Sequence, residues 1–292
     1  MIQFSCADYT FPLLPRAKRL ALLALLGFRD VDLGLFERSS DLRPAQLAAN
    51  PKGFIKLLKS DLEASGLRIS DVFLQTGVEP AFAAANDPSS HLRARNRKLF
   101  QCALDLCSAL ACSHLTGLPG VWHTGATKAN DLALAREEAT WRQQAAARAG
   151  VQYAIEAHIG SLCADLAGAR SFVESVPGLT LTLDYGHFVT DGTPSSRVHR
   201  LLPLASHIHA RAGSPDRLQA KLSENKIDFV GMMHRLRQQT YRGFVAIEYV
   251  WTEWGQCNRA DNVSETLLLR KLLQRLARNG RRSAIKGKAS HA

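Results

Sequence analysis

Short runs of β-branched and apolar residues alternate along the chain with longer stretches in which apolar positions recur every three or four residues. The short runs lie at 2–6 (IQFSC), 29–35 (RDVDLGL), 68–76 (RISDVFLQT), 108–117 (SALACSHLTG), 151–158 (VQYAIEAH), 179–186 (LTLTLDYG), 206–213 (SHIHARAG) and 243–251 (GFVAIEYVW). Each reads as a strand. The amphipathic stretches between them, among them 41–63, 91–107, 127–149, 226–240 and 262–278, read as helices. Gly27, Gly66, Gly150, Gly178 and Gly243 stand just ahead of strands, where a helix C-cap or tight turn belongs. Strand–helix units of about 30 residues predict a parallel sheet closed as a (β/α)8 TIM barrel. A doubly wound open sheet is the competing architecture, but neither GxGxxG nor GxxxxGK[ST] occurs to supply its phosphate loop. A single barrel domain is expected over 1–278.

Composition changes this picture little. Hydrophobic residues make up 46% and charged residues 22% of the 292, an ordinary balance for a globular chain. The longest apolar run, 20–28 (LALLALLGF), falls short of the ~18 residues of a membrane helix and lacks the position and cleavage site of a signal peptide. A cytoplasmic protein with no membrane partner is the expectation. Six cysteines occur without a CxxC pair and read as free, buried thiols. The net charge of +11 is concentrated late: Arg275, Arg278, Arg281, Arg282, Lys286 and Lys288 have no acidic neighbour beyond Gln274. Residues 279–292 therefore read as a basic, disordered tail, which argues for solubility more than for any chemistry.

Chemistry enters at the ends of the last four strands, because a (β/α)8 barrel carries its active site at the C-terminal face. Glu156 follows VQYAI, Asp184 follows LTLTL, His209 lies in SHIHA and Glu248 follows FVAI. Adjacent strands stand about 4.8 Å apart, so four such side chains can converge on one point. Three carboxylates and an imidazole form a hard, oxygen-rich donor set for one divalent ion, Mn²⁺ first, with Mg²⁺, Co²⁺ or Zn²⁺ as alternatives. Without a cation the carboxylates would repel and raise one another's pKa.

The pieces AIEAH, LTLDYGHF, HIHAR and GFVAIEYVW, together with the approach WRQQAAARAGVQYAIE, resemble the xylose-isomerase-like barrels, a family of sugar isomerases and epimerases, inosose-type dehydratases and endonuclease IV. The resemblance implies that Glu156 and Glu248 flank a sugar-like substrate. One would remove the proton beside its carbonyl and the other return it, through a metal-stabilised enediolate. It also implies that His187 hydrogen-bonds the oxygen that gains charge and that Arg211 places a cation nearby. His158 and His207 read as orienting residues or rim histidines.

Two positions depart from the ketose epimerases: Leu162 stands where they carry a substrate-binding glutamate, and Pro215 where they carry an arginine. The loop HARAGSPDRLQ offers Arg211, Arg217 and Gln219 for a different polar pocket. Trp251, Trp254 and Phe11 are candidates to cover a sugar's C–H face. Strands two and three end in LGLF and QTG with no histidine, so the extra ligands of a trinuclear nuclease are missing and no nucleic-acid partner is expected. The reading is a metal-dependent isomerase or epimerase of a sugar, sugar acid or inositol derivative. A lyase or dehydratase and a non-catalytic sugar-binding barrel are the alternatives, and a homo-oligomer is left open.

Overall fold

Eight parallel strands close on themselves in sequence order, β1 pairing with both β2 and β8. The computed structural model describes residues 2–289, with side chains as far as 278. The strands are β1 (Gln3–Ala7), β2 (Asp30–Phe36), β3 (Arg68–Gln75), β4 (His114–Gly117), β5 (Gln152–Glu156), β6 (Thr180–Asp184), β7 (Ala205–Ala210) and β8 (Phe244–Ile247). Around them run α1 (Arg16–Leu25), α2 (Pro44–Ala49), α3 (Pro51–Ser65), α4 (Ser90–Ala109), α5 (Lys128–Arg148), α6 (Leu166–Glu174), α7 (Gly186–Val189), α8 (Ser195–Val198), α9 (Phe229–Gln238) and α10 (Asn262–Ala289). The expected (β/α)8 barrel is the observed fold. No helix among the described residues is long and apolar enough to cross a membrane.

Some boundaries differ from the sequence reading. The apolar run 108–117 is a strand only from His114; its first part ends α4 and turns through Ala111 at φ 55°. The amphipathic stretch 41–63 divides at Asn50, whose Oδ1 accepts from the Gly53 N–H, while Pro51 starts α3 because a proline there forfeits no helical bond. Helix α10 continues through Ala289 into the basic segment, and 290–292 lie outside the described residues. All six cysteines are free, Cys102 only half-buried and the others buried.

The apolar core is the layer between strands and helices. Val31, Leu33, Leu115, Ile155, Leu181 and Ile208 pack outward against residues such as Leu20, Phe100, Phe172 and Met232. Each such side chain contributes about 1.5–3 kcal/mol by leaving water. Strand alternation turns the neighbouring residues inward, and these are polar: Ser5, Asp32, Asp71, His114, Thr116, Thr182, His207 and His209 are all buried. A typical barrel fills this space with branched aliphatics.

Two register irregularities feed that polar interior. Val31 pairs with Ile69 but Asp32 with Asp71, leaving Ser70 as an extra residue in β3. Likewise Leu181 pairs with Ala205 but Thr182 with His207, leaving Ser206 extra in β7. A bulge re-aims the side chain it carries. Ser70 Oγ donates to Asp32 Oδ1, and Ser206 Oγ meets both His114 Nε2 and Thr180 Oγ1 at 2.7 Å.

Candidate metal centre at the barrel mouth

Glu156 and Asp184 are the last residues of β5 and β6, His209 is the penultimate residue of β7, and Glu248 follows β8 directly. The Glu248 N–H still donates to the Ala210 carbonyl at 3.0 Å, which holds it in register with the barrel. All four side chains are buried at the same end. His209 Nδ1 lies 2.6 Å from Glu156 Oε1 and 3.5 Å from Glu248 Oε2. Asp184 joins through His187, whose Nε2 is 3.6 Å from Asp184 Oδ2 and 3.9 Å from Glu156 Oε2. Two overlapping donor groups result, Glu156–His209–Glu248 and Glu156–Asp184–His187, sharing Glu156.

The Arg211 guanidinium lies between the remaining carboxylates. Its Nε reaches Asp184 Oδ2 at 2.8 Å, and a terminal nitrogen meets both Asp184 Oδ2 and, at 2.7 Å, Glu248 Oε2. Three buried carboxylates demand positive charge, and Arg211 and His209 supply it within the chain. Arg211 thus touches two of the expected ligands, Asp184 and Glu248.

Environment separates these groups. Burial pushes Glu248 up to about 7 against the pull of Arg211 and His209. Glu156 is equally buried, yet its hydrogen bond and charge contact with His209 hold it down at about 2. Burial lowers His209 too, but Glu248, Asp32 and Glu156 outweigh it and keep the imidazole protonated well above its ordinary value. Burial pushes His187 down to about 4, so its ring is neutral. Its Nδ1 accepts from the Ile159 N–H at 3.4 Å, which leaves the proton on Nε2, facing the carboxylates.

These donors fit a divalent ion: each of the two groups brings buried carboxylate oxygens and an imidazole nitrogen close enough to share one cation. Ligation requires the protons on Glu248 and on His209 Nδ1 to leave. Mn²⁺ affinity should therefore rise with pH by at least about tenfold per unit below about pH 7, and go on rising above it, because Glu248 is then ionised while His209 still carries its proton. Calorimetric titration between pH 5.5 and 8 checks this, and a flat profile would contradict it.

The remaining sequence candidates occupy distinct places. His158 donates from Nδ1 to the Ile159 carbonyl at 2.7 Å and leaves Nε2 buried and unpartnered, with its ring 6.0 Å from that of His187. Gln219 is committed to the main chain: its amide donates to the Val250 and Cys257 carbonyls and accepts from the Val250 N–H at 2.7 Å. Arg217 is an exposed partner of Glu224. Trp251 lines an apolar cavity of about 280 Å³ with Phe11, Leu13, Leu14 and Val263, whereas Trp254 stands 6.3 Å from His187 over the mouth. Leu162 is buried and apolar.

Below the mouth lies a network that reading strand ends alone misses. His207 Nε2 bonds Asp32 Oδ2 at 2.6 Å, and His209 Nε2 stands 3.6 Å from the same oxygen. Ser5 donates to Asp32 Oδ1 at 2.8 Å, and His114 Nδ1 pairs with Asp71 at 2.6 Å. The signal was the alternation of Asp, Ser and His with apolar residues in RDVDL, RISDV and SHIHA.

Comparison with known proteins agrees with this architecture. Residues 20–273 match the family model described as xylose isomerase-like TIM barrel, and the chain belongs to that family. No curated protein sequence matches the chain. Among solved structures it is similar to a D-allulose 3-epimerase from Methylomonas sp., at 17% identity and TM-score 0.71, covering 94% of this chain and 98% of that one. It is also similar to a 3-keto-D-glucoside 4-epimerase from E. coli, at 16% identity and TM-score 0.70, with 94% and 99% covered. A probable 3-DHS dehydratase from Bacillus anthracis aligns at 13% identity and TM-score 0.68, with 92% and 99% covered. At such identities the likeness establishes the fold alone.

Proposed function

We propose that the chain is a divalent-metal-dependent epimerase or isomerase of a sugar, sugar acid or inositol derivative, acting by proton transfer next to a carbonyl. The observation that carries this reading is the gathering of Glu156, Asp184, His187, His209 and Glu248, all buried, at one end of the barrel, where Glu156–His209–Glu248 and Glu156–Asp184–His187 are each close enough to share a cation. Two carboxylates at one mouth can take a proton from one face of a substrate and return it to the other. The bound metal, held by Glu156, Asp184, His209 and Glu248, would supply electrophilic polarisation of the substrate oxygens.

The chain's own residues do the rest. Glu248 exchanges the proton on one side of the substrate and Glu156 on the other. The neutral His187 donates from Nε2 to the oxygen on which negative charge builds, and Arg211 adds a fixed cation beside it. His158 offers its free Nε2 from the same rim. Trp254 covers the mouth next to His187, excluding water from the transfer. Mn²⁺ is the ion of choice here, with Mg²⁺, Co²⁺ and Zn²⁺ as substitutes. The structural likeness to epimerases of allulose and of a keto-glucoside supports the substrate class.

Two measurements test the proposal. Metal analysis after Mn²⁺ loading and desalting should give about one ion per chain; below about half an ion the metalloenzyme reading fails. Turnover of keto sugars in D₂O should place deuterium beside the carbonyl. A second reading has the same deprotonation expel a β-leaving group, favoured by the apolar Leu162 and by the likeness to a dehydratase. Water loss or aglycone release without epimer formation would replace the first reading by this one.

A further inference from the structure

The polar network beneath the mouth gathers two carboxylates and two imidazoles at a single point. Asp32 and Asp71 face each other across β2 and β3, and the extra residue Ser70 is what sets Asp71 opposite Asp32. Both are fully buried. From β7, His207 Nε2 lies 2.6 Å from Asp32 Oδ2, and His209 Nε2 lies 3.6 Å from the same oxygen. One donor atom each from Asp32, Asp71, His207 and His209 lies within 4.8 Å of all the others, inside the closed barrel.

Two features set this cluster apart from an ordinary hydrogen-bonded core. The first is Asp71. Its Oδ1 is held by His114 Nδ1 at 2.6 Å, but its Oδ2 is buried with no hydrogen-bond partner among the described residues. Native structures pair nearly all such atoms, and a charged one left bare costs more than a neutral one. The second is charge. At the mouth Arg211 faces the carboxylates, whereas no arginine or lysine pairs with Asp32 or Asp71 among the described residues. Two buried carboxylates balance one divalent ion, with neutral imidazoles as the remaining ligands. The spacing agrees. Donors about 2.0–2.2 Å from one ion stand about 3–3.5 Å apart, and the 3.6 Å between His209 and Asp32 is too long for a hydrogen bond.

We propose that Asp32, Asp71 and His207, with His209 Nε2 as the fourth donor, form a second metal site inside the barrel, one layer below the mouth. The set holds more imidazole than the mouth and suits Zn²⁺, bound for structure rather than reaction, since four protein donors close a tetrahedral shell. The ion would tie β2 and β3 to β7 across the barrel, where no strand pairing joins them. His209 would present Nδ1 to the mouth and Nε2 to the interior, its ring bridging the two ions once both protons have left. The hydrogen bond between Asp32 and His207 gives way to shared ligation, while Ser5 and Ser70 go on donating to Asp32 Oδ1 and orient it. Nothing in this site depends on the sugar reading.

The test counts ions in wild type, in Asp71→Asn and in the double variant Glu156→Gln/Glu248→Gln, each loaded with Zn²⁺, desalted and analysed for metal. Asparagine keeps the volume of Asp71 and an acceptor for His114, and the double variant disables the mouth. Wild type should hold about two ions per chain and each variant about one. Should Asp71→Asn fail to fold, His207→Gln takes its place with the same readings. One ion in wild type, kept in Asp71→Asn and lost from the double variant, overturns the inner site and leaves the mouth reading standing. Two ions in both wild type and Asp71→Asn put the second one elsewhere and overturn it as well. A single ion lost only in Asp71→Asn keeps the inner site and removes the mouth. No ion in any of the proteins ends both.

Discussion

Glu248→Gln abolishes turnover, with kcat reduced at least about a thousandfold at saturating Mn²⁺. The amide keeps the shape of the side chain and can still accept from Arg211, so the barrel mouth stays folded. What disappears is the carboxylate proposed to exchange the proton on one side of the substrate. Assay at metal saturation separates this loss from weaker binding, because the variant also gives up one anionic ligand. Stopped-flow or discontinuous assay of epimer formation checks the result, and wild-type rates in the variant would remove Glu248 from the chemistry. Stability should not fall, since one buried negative charge has been neutralised.

Asp32→Ala lies one layer deeper and should act on the fold. The wild-type carboxylate is fully buried, accepts from Ser5 and Ser70, and pairs with His207 at 2.6 Å. Burial would raise its pKa, but His207 and His209 reverse the sign and hold it far below the ordinary carboxylate range. Truncation leaves two imidazoles and two hydroxyls facing a hole, and breaking a buried pair of this kind costs about 3–5 kcal/mol. The melting temperature should drop by about 10 °C in calorimetry, against a smaller loss for Asp32→Asn, which keeps the volume and an acceptor. Because the folded pKa is depressed, the carboxylate's contribution is present above the unfolded value near 3.9 and disappears as pH falls below it. The gap between wild type and Asp32→Asn should therefore narrow in acid. A gap independent of pH would mean that the charge on Asp32 does not matter to stability.

The two residues also mark what could be read from the chain. Glu248 was visible because an ionisable side chain ending the apolar run FVAI has nowhere to go but the rim; the same holds for Glu156 after VQYAI and Asp184 after LTLTL. Asp32 was not, because its partner His207 lies 175 residues away and the two meet only across a closed barrel. In RDVDLGL the outward apolar residues dominate the pattern, and the inward Asp32 passes for an interruption. The serines at the two bulges are similar: nothing in RIS or ASH announces that a register slip will turn Ser70 and Ser206 inward. Boundaries failed where apolar content misled, as in 108–113, where helix-end leucine and alanine extended the apparent strand. Arg211 was noticed as a cation, but its two carboxylate partners come from β6 and from the end of β8, and only the closed barrel brings them together.

Gln219 carries a consequence for how the mouth opens. Its amide addresses Val250 in both directions, accepting from the N–H and donating to the carbonyl, as a neighbouring strand would. A further bond to the Cys257 carbonyl fastens the far end of the same loop. The segments after β7 and β8 are in this way sewn together by Gln219, as they also are by Tyr249, whose hydroxyl accepts from the Ala212 N–H. Trp254, which stands over His187, belongs to the fastened segment. Moving either loop away from the other on that side therefore breaks all three Gln219 bonds together.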